Sequence, residues 1–173
     1  MRDGVGLLNE YWTGQSLDIA TDPKLRELML AATPAYPYHT PGVCGAKRPA
    51  RVVAADDRLL PGVAVGTPVQ VRGCAPAYLP RPEARVLVAQ HHRLAPADHG
   101  IADVPHTLPL PTLLAGQLGE GRVLVCHAWP TASLFKSLDL NERTMMQAWL
   151  DWLTEPRRSR RAGARAELPD APP

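Results

Sequence analysis

Aromatic residues are scarce in this sequence: Phe, Trp and Tyr together make up 5% of 173 residues, and only one of them is Phe. The core must therefore rest largely on Val, Leu and Ala side chains. No stretch approaches the roughly 20 consecutive apolar residues that a membrane-spanning helix needs, and the first ten residues contain no apolar segment of signal-peptide length. We therefore expect a cytoplasmic protein that has no membrane partner.

Cysteine is also sparse, and the common catalytic motifs are absent. Cys44, Cys74 and Cys126 form an odd, widely spaced set, which favours buried reduced thiols over a disulfide scaffold. The spaced Cys and His pairs typical of zinc sites are missing, as are the Gly-x-Ser-x-Gly, P-loop and Gly-x-Gly-x-x-Gly motifs. The sequence therefore predicts no catalytic residue, metal or cofactor, although a small metal- or thiol-dependent enzyme using Cys126 with His91 or His127 is an alternative.

Proline, by contrast, is abundant, and short strands alternate with proline-rich connections. The 19 prolines among 173 residues are about twice the usual share of ~5%. Three Arg-Val-apolar openings begin at Arg51, Arg85 and Arg122, at intervals of 34 and 37 residues. Each opens a run of β-branched and apolar residues that has strand length. Strands are predicted at 50–55, 68–74, 84–90 and 121–127.

Helix signals lie at both ends of the chain. Thr21 or Asp22 can cap a helix over 22–32, with Pro23 at its first position. A second helix is predicted at 140–154, capped by one of three polar residues and ended by Pro156. The connection 95–120 is predicted to be irregular, with a short helix possible at 111–118 that closes at Gly119. The three candidate caps of the second helix are Ser137, Asp139 and Asn141.

These elements predict an α+β fold. We expect a small, mostly antiparallel sheet or partial barrel over residues 50–127, flanked by the two helices. The chain is divided into a single domain at 1–155 and an Arg/Pro-rich flexible tail at 156–173. Trp149 and Trp152 belong to a broad apolar face of the second helix, which suits either core packing or a homo-oligomer contact.

The positive charge is concentrated in the tail. Residues 1–155 contain 14 basic and 15 acidic residues, whereas 156–173 contain five arginines and two acidic residues. Arginines clustered in this way can neutralise nucleic-acid phosphates or bind carboxylates of a partner protein. Arg51, Arg72, Arg85 and Arg122 recur at strand positions and would form a basic stripe if they shared one face. The tail arginines are Arg157, Arg158, Arg160, Arg161 and Arg165.

The pattern of charge without an assembled reactive site predicts a non-enzymatic binding module. We expect it to act in a nucleoprotein or multi-subunit assembly and to contact phosphates through the tail and the strand arginines. The alternative is a protein-binding structural subunit or inhibitor, of the type found in phage particles or mobile elements. In that case the same arginines would contact protein.

Overall fold

The described chain forms one six-stranded sheet with a helix on each side. Our computed structural model describes residues 7–9, 22–32, 47–72, 78–93 and 107–166; at 7–9, 47–48, 91–93, 107–110 and 156–166 it describes the backbone alone. The elements are β1 (Leu7–Asn9), α1 (Pro23–Leu28), β2 (Lys47–Val52), β3 (Pro68–Arg72), β4 (Arg85–Arg93), β5 (Thr107–Leu118), β6 (Gly121–Cys126), a π-helix (Pro130–Phe135) and α2 (Glu142–Ala166).

The strands lie in the spatial order β1, β6, β5, β4, β2, β3. β1 runs parallel to β6, and all other neighbours are antiparallel. The five antiparallel strands make a half-barrel, which confirms the predicted α+β class with a mostly antiparallel sheet. The four predicted strands correspond to β2, β3, β4 and β6. Among the helices of the described chain, none has the length and apolar character needed to cross a membrane.

The prediction for residues 95–120 was wrong in its described part. Residues 107–118 form the 12-residue strand β5, which is the central partner of β4 and β6, with no helix at 111–118. Pro109 and Pro111 pair with β4, whereas β6 pairs only with residues 113–118. Within the described chain β5 is thus an edge strand at both prolines, and edge strands tolerate a missing backbone donor. Gly119, with φ 59°, occupies the two-residue turn into β6.

The side of the sheet that faces α2, here called the α2 face, carries the larger core. Val52, Val71 and Leu113 from the sheet pack in one cluster with Trp149 and Phe135. The rings of Phe135 and Trp149 meet edge to face with centroids 4.8 Å apart, an arrangement that aromatic pairs favour. Trp149 Nε1 also donates to the Leu59 carbonyl oxygen over 2.9 Å, so its one polar atom is satisfied. Trp149 and Trp152 are thus buried core residues of this chain, as the core-packing alternative predicted, and the homo-oligomer contact stays a prediction.

The opposite side, here called the α1 face, carries a smaller core beneath the end of α1. Asp22 caps α1 as predicted, accepting from the backbone N–H of Lys24 over 2.8 Å. The residues after α1 pack on the sheet: Leu30, with φ 56°, is fully buried against Gly116. A Cβ atom at Gly116 would lie 2.7 Å from Leu30 Cδ1, so any larger residue would force the buried Leu30 side chain to shift.

The second helix begins at the predicted place and ends later than predicted. Asn141 is the cap, because its Oδ1 accepts from the Thr144 backbone N–H over 3.0 Å. Asp139 instead has φ 54°, in the turn before the helix. α2 then continues through Pro156 to Ala166 instead of ending at Pro156. The predicted division into a domain at 1–155 and a flexible tail at 156–173 stays a prediction, and residues 167–173 lie outside the described chain.

The outer edge of β3 is bonded to the segment around the π-helix. The backbone N–H of Trp129 donates to the Arg72 carbonyl oxygen over 3.0 Å. Ser137 Oγ accepts from the Gln70 backbone N–H over 2.8 Å. Groups that a sheet edge would expose are therefore partly satisfied within the chain.

Candidate functional site

The four strand arginines divide between the two faces of the sheet. Arg85 pairs with Ala115, a residue of the α2-face core, and Arg122 alternates with Val123, which belongs to the α1-face core. Arg85 and Arg122 therefore lie on the α2 face. Arg51 and Arg72 alternate with residues of the α2-face core and so lie on the α1 face. The sheet does not bring all four into one stripe.

Arg85 is neutralised by a preformed carboxylate. Its Nη2 contacts Asp56 Oδ2, and the Asp56 side chain is only 6% exposed. The other carboxylate oxygen accepts from the backbone N–H groups of Arg58 at 2.9 Å and Leu59 at 3.0 Å. Asp56 is thus held rigidly in its turn. The positive charge of Arg85 is therefore matched within its own domain, and its predicted contact with a phosphate stays a prediction.

Arg122 is held by three groups of α2. Its guanidinium bonds to Glu155 Oε2, lies 4.9 Å from the centre of the Trp152 ring, and donates to the Trp152 carbonyl oxygen over 2.8 Å. Arg58 Nη2 reaches the same Glu155 oxygen over 2.7 Å. Hydrogen bonds from Arg58 and then Arg122 lower the pKa of Glu155. Glu155 therefore stays ionised between two guanidinium groups.

The bond from Arg122 to the Trp152 carbonyl has a specific cause in the sequence. In an α-helix the carbonyl of residue 152 would accept from the N–H of residue 156. Residue 156 is proline, which has no N–H. Arg122 supplies the missing donor to that carbonyl. This contact explains how α2 continues through a residue that usually ends a helix.

Beyond Pro156 the helix carries the predicted tail arginines. Residues 156–166 contain five arginines and no acidic residue. At 100° per residue, the five positions fall within an arc of about 160°. Small residues and Pro156 occupy the remainder of this stretch. The arginine positions are Arg157, Arg158, Arg160, Arg161 and Arg165.

Cys126 and His127 are buried but do not form a reactive pair. Cys126 lies on the α2 face, where Sγ donates to the Ala128 carbonyl oxygen over 3.3 Å. His127 Nε2 lies 2.9 Å from the Tyr78 hydroxyl, which in turn bonds the Met29 carbonyl oxygen over 3.1 Å. Within the described residues, no three His, Cys, Asp or Glu side chains converge as a metal site would require. The His91 side chain lies outside the described residues.

The geometry assigns the proton of this buried pair. Tyr78 has one hydroxyl hydrogen and the Met29 carbonyl can only accept, so both bonds form together in the tautomer that carries its hydrogen on His127 Nε2. Burial lowers the pKa of His127 to about 3, and the imidazole is neutral. Burial also raises the pKa of Tyr78 above its ordinary value. The pair therefore joins the end of α1 to the sheet. Neither group changes its protonation state near neutral pH.

Sequence reasoning missed two parts of this arrangement. Tyr78 lies in a proline-rich stretch without periodicity, so nothing marked it as a buried partner of His127. The partners of Arg122 lie about 30 residues away on a helix, and strand pattern alone cannot find them. Pro156 was the available signal, because a helix that crosses a proline requires another donor for the freed carbonyl.

In three comparisons, no protein-family model, curated protein or solved structure matches the chain. Its function must therefore be argued from its own residues.

Proposed function

We propose that this protein is a non-enzymatic module that binds nucleic-acid phosphates through the arginine-rich end of α2, as part of a nucleoprotein or multi-subunit assembly. One observation carries the proposal. The five arginine positions after Pro156 fall on one side of a helix, and no acidic residue stands among them. Arginine forms charge-assisted, often bidentate bonds to phosphate oxygens.

The neutralised arginines of the sheet support this choice of surface. Arg85 and Arg122 are paired with Asp56 and Glu155, so their positive charge is balanced within the domain. The contacts of Arg122 with Trp152 and Glu155 hold the turn of α2 that immediately precedes the basic stretch. A basic helix fixed at its base loses less conformational freedom on binding than a disordered tail does.

The absence of base-reading side chains argues for sequence-independent contact. Residues 156–166 contain no Asn, Gln or aromatic residue, and these are the types that read adenine edges or stack on bases. Arginine can also read guanine, but five cationic positions on one side of a helix fit the phosphate backbone, where sequence is not read. We therefore propose phosphate contacts on a duplex of any sequence.

Salt dependence of binding to a fluorescein-labelled 20-base-pair duplex tests the proposal. Five phosphate contacts give a slope of log K against log salt of about −4.5, so affinity should fall about 500-fold between 50 and 200 mM salt. Full-length protein with all five arginines changed to Gln should lose this slope. The matched variant with all five changed to Lys keeps the charge and should retain it.

Two outcomes would contradict the proposal. The first is no duplex binding by the unaltered protein at 50 mM salt. The second is an unchanged slope in the Gln variant. If the protein instead elutes in a high-order species that neither salt nor nuclease disrupts, the chain is a protein-binding structural subunit. Tryptophan fluorescence of each variant verifies that the core around Trp149 and Trp152 is intact.

A further inference from the structure

The exposed surface of β2 and β3 on the α1 face is a second basic surface, here called the β2–β3 face. It is built from cross-strand pairs: Pro49 opposite Gln70, and Arg51 opposite Pro68. These four residues, together with the strand backbone at Ala50 and Val69, line an open groove of about 410 Å³. The next pair along is Lys47 opposite Arg72. The six positions therefore include three cationic residues and no acidic residue.

The charge on this face is spread along the strands. Arg51 and Arg72 are both exposed, and neither has an ion-pair partner among the described residues. Arg51 lies opposite Pro68, four residues from Arg72 along β3, which corresponds to about 13 Å. Two cations at that separation cannot share one small anion at hydrogen-bond distance. The spacing suits an extended chain that carries repeated negative charges.

The outer edge of β3 is a poor site for strand addition, so we expect the ligand to lie on the face. The bonds from Trp129 and Gln70 occupy the outer edge of β3, which disfavours a peptide that pairs by strand addition. A two-stranded ribbon can enter the major groove of a duplex, but β2 is also paired with β4. The pair β2–β3 is thus part of a wider sheet and does not protrude. The bonded edge thus disfavours a peptide strand, and the wider sheet disfavours a duplex, so a single nucleic-acid strand is the favoured ligand.

We infer that the β2–β3 face binds single-stranded nucleic acid, with Arg51 and Arg72 on two phosphates of one strand and the proline rings and Trp129 beside the bases. The backbone of Trp129 is bonded to Arg72, and its side chain is 37% exposed. Non-specific single-strand binding typically combines a cationic groove with aromatic stacking. The inference extends the proposed function to a second surface and a second form of nucleic acid.

Fluorescence anisotropy with a labelled 20-nucleotide oligothymidine tests this surface on the full chain. The double variant Arg51→Gln/Arg72→Gln should weaken binding at least tenfold at 100 mM salt. Loss of two phosphate contacts should reduce the salt slope by about 1.4 for a single strand. The control Arg26→Gln/Arg143→Gln removes equal charge elsewhere on the chain and should leave both values unchanged. Equal effects of the two double variants would overturn the inference.

Stacking is tested separately at Trp129. Trp129→Leu should weaken oligothymidine binding about fivefold or more, the loss of one stacked base, whereas Trp129→Phe should retain most of the affinity. If Phe and Leu weaken binding alike while thermal stability is unchanged, the ring does not stack. The stacking part of the inference then fails, and the salt slope of the arginine variant still decides the phosphate part.

The two nucleic-acid proposals can be refuted independently of each other. If the α2 Gln variant loses duplex binding while Arg51→Gln/Arg72→Gln leaves oligothymidine binding unchanged, the inference is wrong and the proposed function stands. If the β2–β3 face variant loses oligothymidine binding while the α2 Gln variant keeps its duplex binding and salt slope, the inference stands and the α2 proposal fails. Binding of an oligoglutamate peptide that requires Arg51 and Arg72, without oligothymidine binding, would make the partner an acidic protein segment and overturn the inference.

Discussion

The contact between Arg122 and the turn before Pro156 predicts a measurable coupling between two distant positions. In Arg122→Met, the Trp152 carbonyl loses its donor and the indole loses its cation. A hydrogen bond to a charged group contributes roughly 1.5–3 kcal/mol, and an exposed cation–π contact about 0.5–1 kcal/mol. The Arg122 side chain is 24% exposed, so we expect a loss of unfolding free energy of about 2–3 kcal/mol.

Pro156→Ala restores a backbone N–H that can donate to the same carbonyl. In that background Arg122→Met no longer leaves the Trp152 carbonyl without a partner, and its cost should fall by about 1–2 kcal/mol. Pro156→Ala alone should stabilise the protein, by up to about 3 kcal/mol, because proline is the poorest residue for a helix interior. The two substitutions are therefore expected to be non-additive.

Urea unfolding of the wild type, the two single variants and the double variant measures the coupling. Helix content followed by circular dichroism reports α2, and equal m-values are required before the free energies are compared. The control cycle pairs Pro156→Ala with Arg143→Met, an exposed arginine in the first turn of the same helix, and should be additive within about 0.5 kcal/mol. Additivity in the Arg122 cycle as well would refute the role given to the freed carbonyl.

Two further predictions concern the α1 face. Since burial lowers the pKa of His127 from 6.5 to about 3, the unfolded state binds the additional proton. The free energy of unfolding should therefore fall as pH drops below 6.5, by roughly 2–3 kcal/mol at pH 4.5. His127→Gln should remove this loss of stability at low pH. If the variant shows the same acid profile as the wild type, the prediction is wrong. Gly116→Val should lower the free energy of unfolding by about 1–3 kcal/mol, because the added side chain overpacks against Leu30. Leu30→Ala should then destabilise the Gly116→Val variant less than it destabilises the wild type. If the two effects are strictly additive, the two residues do not compete for space.

Local patterns in the sequence were sufficient for most of the sheet but not for β5. Short apolar runs with arginine at their start predicted β2, β4 and β6 because strand periodicity is a local property. β5 was missed because Pro109 and Pro111 argue against a strand, and their tolerance depends on where the pairing with β6 ends. The point at which β5 stops pairing with β6 depends on tertiary structure, and nothing in the local sequence marks it.

The candidate site was likewise predictable from the sequence only in part. The cluster of five arginines after Pro156 is visible in the sequence, whereas the helical backbone beneath it depends on Arg122, which lies 34 residues earlier. The distribution of Arg51, Arg72, Arg85 and Arg122 over two faces follows from strand register. Register is set by which alternate residues are buried, and the sequence pattern alone left that open.

The bonds at the outer edge of β3 also bear on how copies of this chain behave at high concentration. Intermolecular growth of β-structure begins where a strand offers unsatisfied amides and carbonyls to a neighbour. On one side of the described sheet, Ser137 and Trp129 already use two of those groups. On the other side, β1 has only three residues, which is too short a template for stable pairing. Neither border therefore gives an incoming strand a long uninterrupted ladder, which protects a protein with so much β-structure from fibril formation.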